Sequence, residues 1–93
     1  MKIVHVDGKE TVKIMLYALS TCGWCRKTKA LLDELGLAYD YVFIDQLVLS
    51  DADIARAEIM QWNPNCSFPT IVIEGKECII GFHEEKIRGL AER

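Results

Sequence analysis

The chain has 93 residues, a formal net charge of −3 and 51% apolar residues. This length suffices for one domain with one core, the slightly acidic balance argues against nucleic acid as a partner, and the lack of an apolar run of about 18 residues argues against a membrane span. The first residues lack the apolar stretch of a secretory signal, so we expect a cytosolic protein whose four cysteines are reduced thiols.

Two strands are expected before the first helix. Apolar and polar residues alternate at 2–6, which favours a short strand within an N-terminal extension of residues 1–12. Asp7 and Gly8 follow it as a turn that is typical of hairpins. Residues 14–19, IMLYAL, are nearly all apolar, as in a strand that is buried on both faces. We therefore predict a short extra strand followed by a buried one.

A helix and a third strand come next. The helix is expected to begin at Ser20 or Thr21, either of which can cap it. Its end is expected at Gly36, in the left-handed position after the last turn. Three leucines share one face of this helix, namely Leu31, Leu32 and Leu35. Residues 39–44, YDYVFI, read as a strand.

The second half of the chain continues the alternation. Ser50 and Asp53 form the pattern of a capping box, which predicts a helix running to about Trp62. A hairpin and a final helix are predicted to complete the chain, at 70–73, 77–80 and 83–93.

These elements give the order β-β-α-β-α-β-β-α. The βαβ unit at 14–44 implies a parallel pair of strands with a right-handed crossover, and the later hairpin adds antiparallel strands. We therefore predict an α/β fold in one domain of residues 1–93. It is a four-stranded mixed sheet flanked by three helices, with a possible extra N-terminal β-strand.

Cys22 and Cys25, in the sequence CGWC, lie where the buried strand ends and the first helix begins. Unpaired backbone N–H groups and the positive end of the helix point at such a position, and both favour an anion such as a thiolate. Cysteines in this setting have pKa values lowered from about 8.5 to roughly 3.5–7.5. Arg26 and Lys27 add positive charge. Cys22 is therefore the expected nucleophile.

Cys25 lies one turn further along the same helix face, within reach of a disulfide, and is expected to be the more buried thiol. Cys22 would attack a substrate disulfide, and Cys25 would then attack Cys22 and release the reduced substrate. Three alternatives stay open. The pair could be half of a zinc site completed from Cys66, Cys78 or His83, Cys22 could hold an iron–sulfur cluster between subunits, or both thiols could be idle in a binding module.

A second motif, SFPTIVI at 67–73, places a proline directly before a strand, where a missing hydrogen-bond donor is tolerated. CGWC at a helix start, then SFPTIVI, a hairpin and IGF resemble the thioredoxin superfamily. The nearest resemblance is to the glutaredoxins and the small glutaredoxin-like redoxins that serve ribonucleotide reductase, over roughly residues 13–93. It implies the thioredoxin fold and a thiol–disulfide oxidoreductase without a bound cofactor.

The resemblance also implies roles for residues around the dithiol. Pro69 would be the family's cis-proline, facing the two cysteines, and Phe68 would offer backbone groups to an extended substrate. Gly81 matches the glycine that keeps the following turn close to the active site. The turn from Gly81 to Phe82 resembles that of redoxins reduced by thioredoxin reductases, and Thr70 after the proline resembles thioredoxins.

Three features bear on the partners. Trp24 stands where glutaredoxins often have tyrosine, and we expect it to shield the disulfide and contact a partner. Many glutaredoxins carry a lysine in place of Leu19, and a Gly-Gly-x-Asp-Asp-like turn in place of GFHEEK, to bind glutathione. We therefore expect a monomer that reduces disulfide-containing proteins, such as ribonucleotide reductase. Its own reductant would be a thioredoxin-reductase-type enzyme, with glutathione as the alternative co-substrate.

Overall fold

A five-stranded mixed sheet forms the middle of the molecule, and the computed structural model describes all 93 residues of the chain. The strands are β1 Val4–Val6, β2 Ile14–Ala18, β3 Tyr39–Phe43, β4 Thr70–Ile73 and β5 Glu77–Ile80. They lie in the order β1-β3-β2-β4-β5. Strands β2 and β3 are parallel, whereas each other neighbouring pair is antiparallel.

Three helices cover the two faces of the sheet. They are α1 Gly23–Glu34, α2 Leu49–Met60 and α3 Glu84–Gly89, and short 3-10 turns follow β3 at Ile44–Gln46 and α3 at Leu90–Glu92. Helices α1 and α3 pack on one face, and α2 packs on the other. The predicted thioredoxin fold with an extra N-terminal strand is therefore confirmed. None of the helices combines the length and hydrophobicity that crossing a membrane requires.

Strand β2 is central and is buried on both sides. Its residues Ile14, Leu16 and Ala18 pack in the core under α1 and α3, whereas Tyr17 packs in the core under α2. This alternation follows from the two-residue period of a strand. Burial on both faces explains why the sequence here is almost continuously apolar, and truncating Leu16 to alanine is expected to cost about 2–5 kcal/mol.

The end of α1 matches the prediction from Gly36. This glycine has φ +68°, and its N–H donates to the carbonyl of Asp33 at 3.0 Å. The N–H of Leu37 donates to the carbonyl of Leu32 at 3.3 Å. These two bonds define a Schellman motif, in which the left-handed position favours glycine. The motif turns the chain back so that Leu37 packs in the core.

The interpretation of Asp7 and Gly8 as a hairpin turn was wrong, because β1 pairs with β3 rather than with the adjacent β2. Gly8 is required for another reason. A Cβ at this position would lie 2.5 Å from the carbonyl oxygen of Gly36. The chain is held there by bonds from Lys9 N–H to Gly36 O, at 2.8 Å, and from Ala38 N–H to Lys9 O, at 2.9 Å.

The predicted capping box of α2 was also wrong. The helix begins at Leu49 after Val48, which has extended backbone and gives no side-chain cap. Ser50 therefore already lies inside the first turn, where its hydroxyl cannot act as the N-cap. The helix ends at Met60, and the N–H groups of Trp62 and of the next residue both bond to the carbonyl of Ile59. This tight turn closes the helix before Trp62.

Candidate active site

Cys22 is itself the N-cap residue of α1. Its backbone is extended, with φ −89° and ψ 122°, and its Sγ accepts a hydrogen bond from the backbone N–H of Cys25 at 3.3 Å. The expectation of a cap at Ser20 or Thr21 was therefore wrong, since Ser20 bonds to Asp45 instead. The Cys22 sulfur takes the position that a serine or aspartate oxygen usually occupies.

Several groups act on the Cys22 thiol. Burial opposes its ionisation, but hydrogen bonds from the Cys25 thiol and from the backbone N–H groups of Cys25 and Trp24 outweigh burial. The positive charge of Arg26 acts in the same direction. The pKa of Cys22 consequently lies below its ordinary value, as expected for a cysteine at a helix N-terminus.

Cys25 has the opposite environment. Its side chain is 1% exposed, and this burial raises the pKa of Cys25 to about 12, although the N–H of Leu19 donates to its Sγ at 3.5 Å. The negative charges of Cys22 and Asp45 raise it further. The prediction that Cys25 is the more buried thiol is confirmed. A thiol whose pKa is lowered thus lies beside one whose pKa is raised.

Two aromatic rings, those of the exposed Trp24 and the half-buried Phe82, stack next to the dithiol. Trp24 is 56% exposed, and its ring stacks on that of Phe82 with the centroids 5.8 Å apart. The ammonium group of Lys27 lies 4.6 Å from the centroid of the Trp24 ring. The structure therefore brings together two predicted contact residues, and it places a cation over the Trp24 ring.

The loop before β4 carries the next predicted residues. The peptide bond from Phe68 to Pro69 is cis, as the family resemblance implied. The carbonyl of Pro69 accepts a hydrogen bond from the N–H of Gly81 at 2.9 Å. Gly81 has φ +80°, a conformation that favours glycine. Phe68, like Cys22 and Phe82, packs against the core cluster that contains Cys25.

A buried amide holds this loop and was not foreseen. Asn63 is 2% exposed, and its Nδ2 donates to the carbonyl and the hydroxyl of Ser67, at 3.2 and 2.8 Å, and to Oγ1 of Thr70 at 3.1 Å. The Thr70 hydroxyl in turn donates to the carbonyl of Ser67 at 2.8 Å. The Thr70 side chain is fully buried, so it faces this network and not the surface. In the sequence, Asn63 before a proline signals only the end of a helix.

The residues considered for a zinc site do not join the dithiol. Cys78 donates from its thiol to the carbonyl of Trp62 at 3.6 Å, Cys66 packs against the core under α2, and His83 is exposed at the start of α3. No group of three or more His, Cys, Asp or Glu side chains lies close enough together to hold a metal ion.

Comparison with known proteins places these features in a family. The glutaredoxin family model matches residues 14–79, a span that includes the dithiol and the cis-proline loop. The chain is similar to the glutaredoxin of Methanosarcina mazei Go1, with a TM-score of 0.90 and 41% identity over 100% of this chain and 90% of that chain. It is also similar to the methanoredoxin of Methanosarcina acetivorans, with a TM-score of 0.89 and 41% identity over 92% and 90% of the two chains.

A curated relative agrees with these structures. Glutaredoxin-C1 of Arabidopsis thaliana is 26% identical over 78 residues, which cover 81% of this chain and 61% of that protein. The chain thus spans less than two thirds of that relative. The family model covers most of the chain, and the redox motif lies at the start of α1 in a thioredoxin fold. This chain belongs to the glutaredoxin family of the thioredoxin superfamily.

Proposed function

We propose that the protein is a thiol–disulfide oxidoreductase that reduces disulfides in other proteins through Cys22 and Cys25. One observation carries the proposal: Cys22 Sγ caps α1 by accepting the Cys25 N–H at 3.3 Å, while the Cys25 thiol is buried beside it. A readily ionised, partly exposed sulfur is suited to attack, and a buried neighbouring thiol is suited to resolve the product.

The reaction proceeds in two exchanges. The Cys22 thiolate attacks one sulfur of the substrate disulfide, a bond forms between them, and the other substrate sulfur leaves as a thiolate that takes a proton from solvent. Cys25 then loses its proton to solvent and attacks Cys22 Sγ, and the second substrate sulfur leaves and is protonated. The substrate gains two electrons and two protons, and the protein ends with a Cys22–Cys25 disulfide.

The surrounding residues bind the substrate. An extended segment of the partner lies along the loop at Phe68 and Pro69 and pairs with its backbone. Trp24 and Phe82 bound the same site with their stacked rings. Gly81 keeps the turn that carries Phe82 against this loop, through its hydrogen bond to Pro69.

Electrons reach the protein from a thioredoxin-reductase-type enzyme, and the substrates include ribonucleotide reductase. Two features support this electron source. Leu19 has no charge with which to hold the carboxylate of glutathione. In the turn GFHEEK, the carboxylate of Glu84 is engaged by Arg88 at 2.9 Å. We also place the protein in the cytosol, because its dithiol must be reduced again after each cycle. We further propose that it is a monomer. Cell fractionation and gel filtration test these two points.

A glutathione-dependent glutaredoxin is the second candidate. Glutaredoxins use glutathione as a co-substrate, and membership of the family favours the same use here. The tripeptide would bind beside Cys22, and Lys86 of α3 would bind one of its carboxylates.

The experiment compares two reductants of the oxidised protein, glutathione and a thioredoxin reductase with NADPH, with Trp24 fluorescence reporting the state of the neighbouring disulfide. Reduction by the enzyme alone supports the proposal, and fast reduction by glutathione supports the second candidate. If neither glutathione nor the enzyme reduces the protein, both proposed electron sources are contradicted.

Cysteine variants test the dithiol itself. Cys22→Ser is expected to abolish disulfide reduction, whereas Cys78→Ser, the control, leaves it intact. Cys25→Ser is expected to retain the first exchange and to accumulate mixed disulfides at Cys22, whose partners mass spectrometry identifies. Full activity of Cys22→Ser would refute the proposed function.

A further inference from the structure

A carboxylate in the turn that follows β3 holds the loop that carries Cys22. Asp45 lies in the 3-10 turn after β3. Its Oδ1 accepts the backbone N–H of Ser20 at 2.9 Å, and its Oδ2 accepts the Ser20 hydroxyl. The hydrogen bond from the Ser20 hydroxyl, and after it the one from the Ser20 N–H, keeps the pKa of Asp45 below its ordinary value. Both carboxylate oxygens therefore serve to fix a single residue of the loop between β2 and α1.

The orientation of the dithiol depends on the backbone next to Ser20. The N–H of Cys22 donates to the carbonyl of Leu19 at 3.2 Å, and the N–H of Leu19 donates to Cys25 Sγ at 3.5 Å. A shift of the loop at Ser20 would change both contacts. It would also move Cys22 Sγ away from the Cys25 N–H, which it now meets at 3.3 Å.

We propose that Asp45 is a positioning residue for the dithiol. By holding Ser20 through both oxygens, it fixes the cap geometry in which Cys22 Sγ accepts the Cys25 N–H. Reacting groups that are misplaced by about 1 Å can lose on the order of a hundredfold in rate. The two hydrogen bonds between Asp45 and Ser20 therefore affect the rate of attack by Cys22. The inference deepens the proposed function and rests on it in one respect, that Cys22 is the attacking thiol.

The charge of Asp45 has a separate effect that any test must remove. It lies close enough to Cys25 to oppose ionisation of that thiol, whereas Arg26 favours ionisation of Cys22. Loss of the carboxylate charge alone lowers the pKa of a nearby thiol. Loss of the hydrogen bonds between Asp45 and Ser20 raises the pKa of Cys22, because the hydrogen bonds that Cys22 Sγ accepts at the helix end are weakened. The two consequences have opposite signs.

The test compares Asp45→Asn with Asp45→Ala, both in a Cys25→Ser background. Each variant removes the charge, but only asparagine keeps an oxygen for the Ser20 N–H and an amide that bonds to the Ser20 hydroxyl. The measurement is the pH dependence of Cys22 alkylation by iodoacetamide, followed by mass spectrometry of the Cys22 peptide. We expect the midpoint of Asp45→Ala to lie about one pH unit above that of Asp45→Asn, a tenfold loss of thiolate at low pH.

Coincident midpoints of the two variants would overturn the inference, since a merely structural role would change the melting temperature and leave the Cys22 titration alone. Should Asp45→Ala fail to fold, Ser20→Ala replaces it, because it keeps the charge and loses the hydroxyl bond. The midpoint of Ser20→Ala is then expected about half a pH unit above that of the Cys25→Ser protein that keeps Ser20, roughly a threefold loss of thiolate at low pH. An unchanged midpoint would overturn the inference.

The readout also separates this inference from the proposed function. Alkylation needs no disulfide substrate and no reductase, so it reports on Asp45 alone. If the two variants differ in their titration and the protein with all its cysteines reduces no disulfide, the positioning role of Asp45 stands and the proposed function fails.

Discussion

Trp24 and Phe82 stack with their ring planes 28° apart. Trp24 comes from the first turn of α1 and Phe82 from the turn after β5, so the stack joins two elements that are far apart in the sequence. The pair is held in place before any partner arrives. It thereby offers contact area beside Cys22 without further loss of side-chain freedom on binding.

Trp24→Ala is therefore expected to act on protein substrates. The value of kcat/KM for a protein disulfide should fall about tenfold, because an exposed aromatic at the centre of a contact carries a large share of binding energy. For a small disulfide such as bis(2-hydroxyethyl) disulfide, the change should stay within about twofold. Ile54→Ala, which truncates an apolar side chain of nearly equal exposure on α2, is the control. Equal losses for both substrates would contradict a role in partner contact.

Asn63→Ala is expected to destabilise the fold and displace the cis-proline loop. The substitution removes all three hydrogen bonds that the buried Asn63 amide donates to Ser67 and Thr70, and only the bond from the Thr70 hydroxyl to the Ser67 carbonyl remains. The free energy of unfolding should fall by about 1–3 kcal/mol, as measured by urea denaturation, and disulfide reduction should slow. Asn65→Ala, at an exposed position of the same loop, is the control. A change below about 0.5 kcal/mol would show that the network is dispensable.

His5 is expected to make stability depend on pH. Its Nδ1 lies 2.6 Å from Asp40 and its Nε2 lies 3.1 Å from Asp7, and two carboxylate partners require a ring that donates from both nitrogens. The hydrogen bond to Asp40 is the main cause that raises the pKa of His5. A raised pKa in the folded state adds stability that is fully present below the unfolded value of about 6.5 and is lost as pH rises through the folded value.

Urea denaturation from pH 5.5 to 8.5 measures this dependence. The decline across neutral pH should become shallower in His5→Ala, and added salt should weaken it because the pair is exposed. His83→Ala is the control, since that imidazole makes no side-chain cap bond. A decline that persists unchanged in His5→Ala would rule out this pair as its source.

Gly8→Ala is expected to lower the free energy of unfolding by about 1–3 kcal/mol, as for other overpacked sites. The added Cβ would meet backbone atoms of Gly36 and Leu37 at 2.5 and 2.6 Å, and backbone cannot move aside as a flexible side chain can. Gly89→Ala is the matched control, because its Cβ enters open space at a helical φ of −61°. There we expect a gain of about 0.5–1 kcal/mol, and thermal unfolding of the two variants distinguishes the cases.

Local signals predicted the fold better than the details of the site. The apolar run of β2 and the glycine at the end of α1 act over a few residues, and each was interpreted correctly. The cap of α1 could not be predicted in this way. Ser20 is a better cap than cysteine by preference, yet its hydroxyl and N–H are taken by Asp45 from the end of a different strand.

The cis peptide at Pro69 had a different source. Only about 5–6% of X–Pro bonds in folded proteins are cis, so the residues around Pro69 do not predict it, and the resemblance to a family did. Asn63 was missed because its partners, Ser67 and Thr70, come close only when the loop is folded. The extra N-terminal strand β1 was predicted. Its pairing with β3 was not, because that pairing depends on tertiary contacts around Gly8.

The sulfur that caps α1 is also the one that changes its bonding during the reaction. In a mixed disulfide Cys22 Sγ is neutral, and a neutral sulfur is a poorer acceptor for the Cys25 N–H than a thiolate. The first turn of α1 should then fray, and its amide protons should exchange with solvent faster than in the reduced protein. In the proposed cycle, attack on a substrate therefore loosens this helix end, and the helix end tightens again only after a reductant has opened the Cys22–Cys25 disulfide and returned Cys22 to a thiolate.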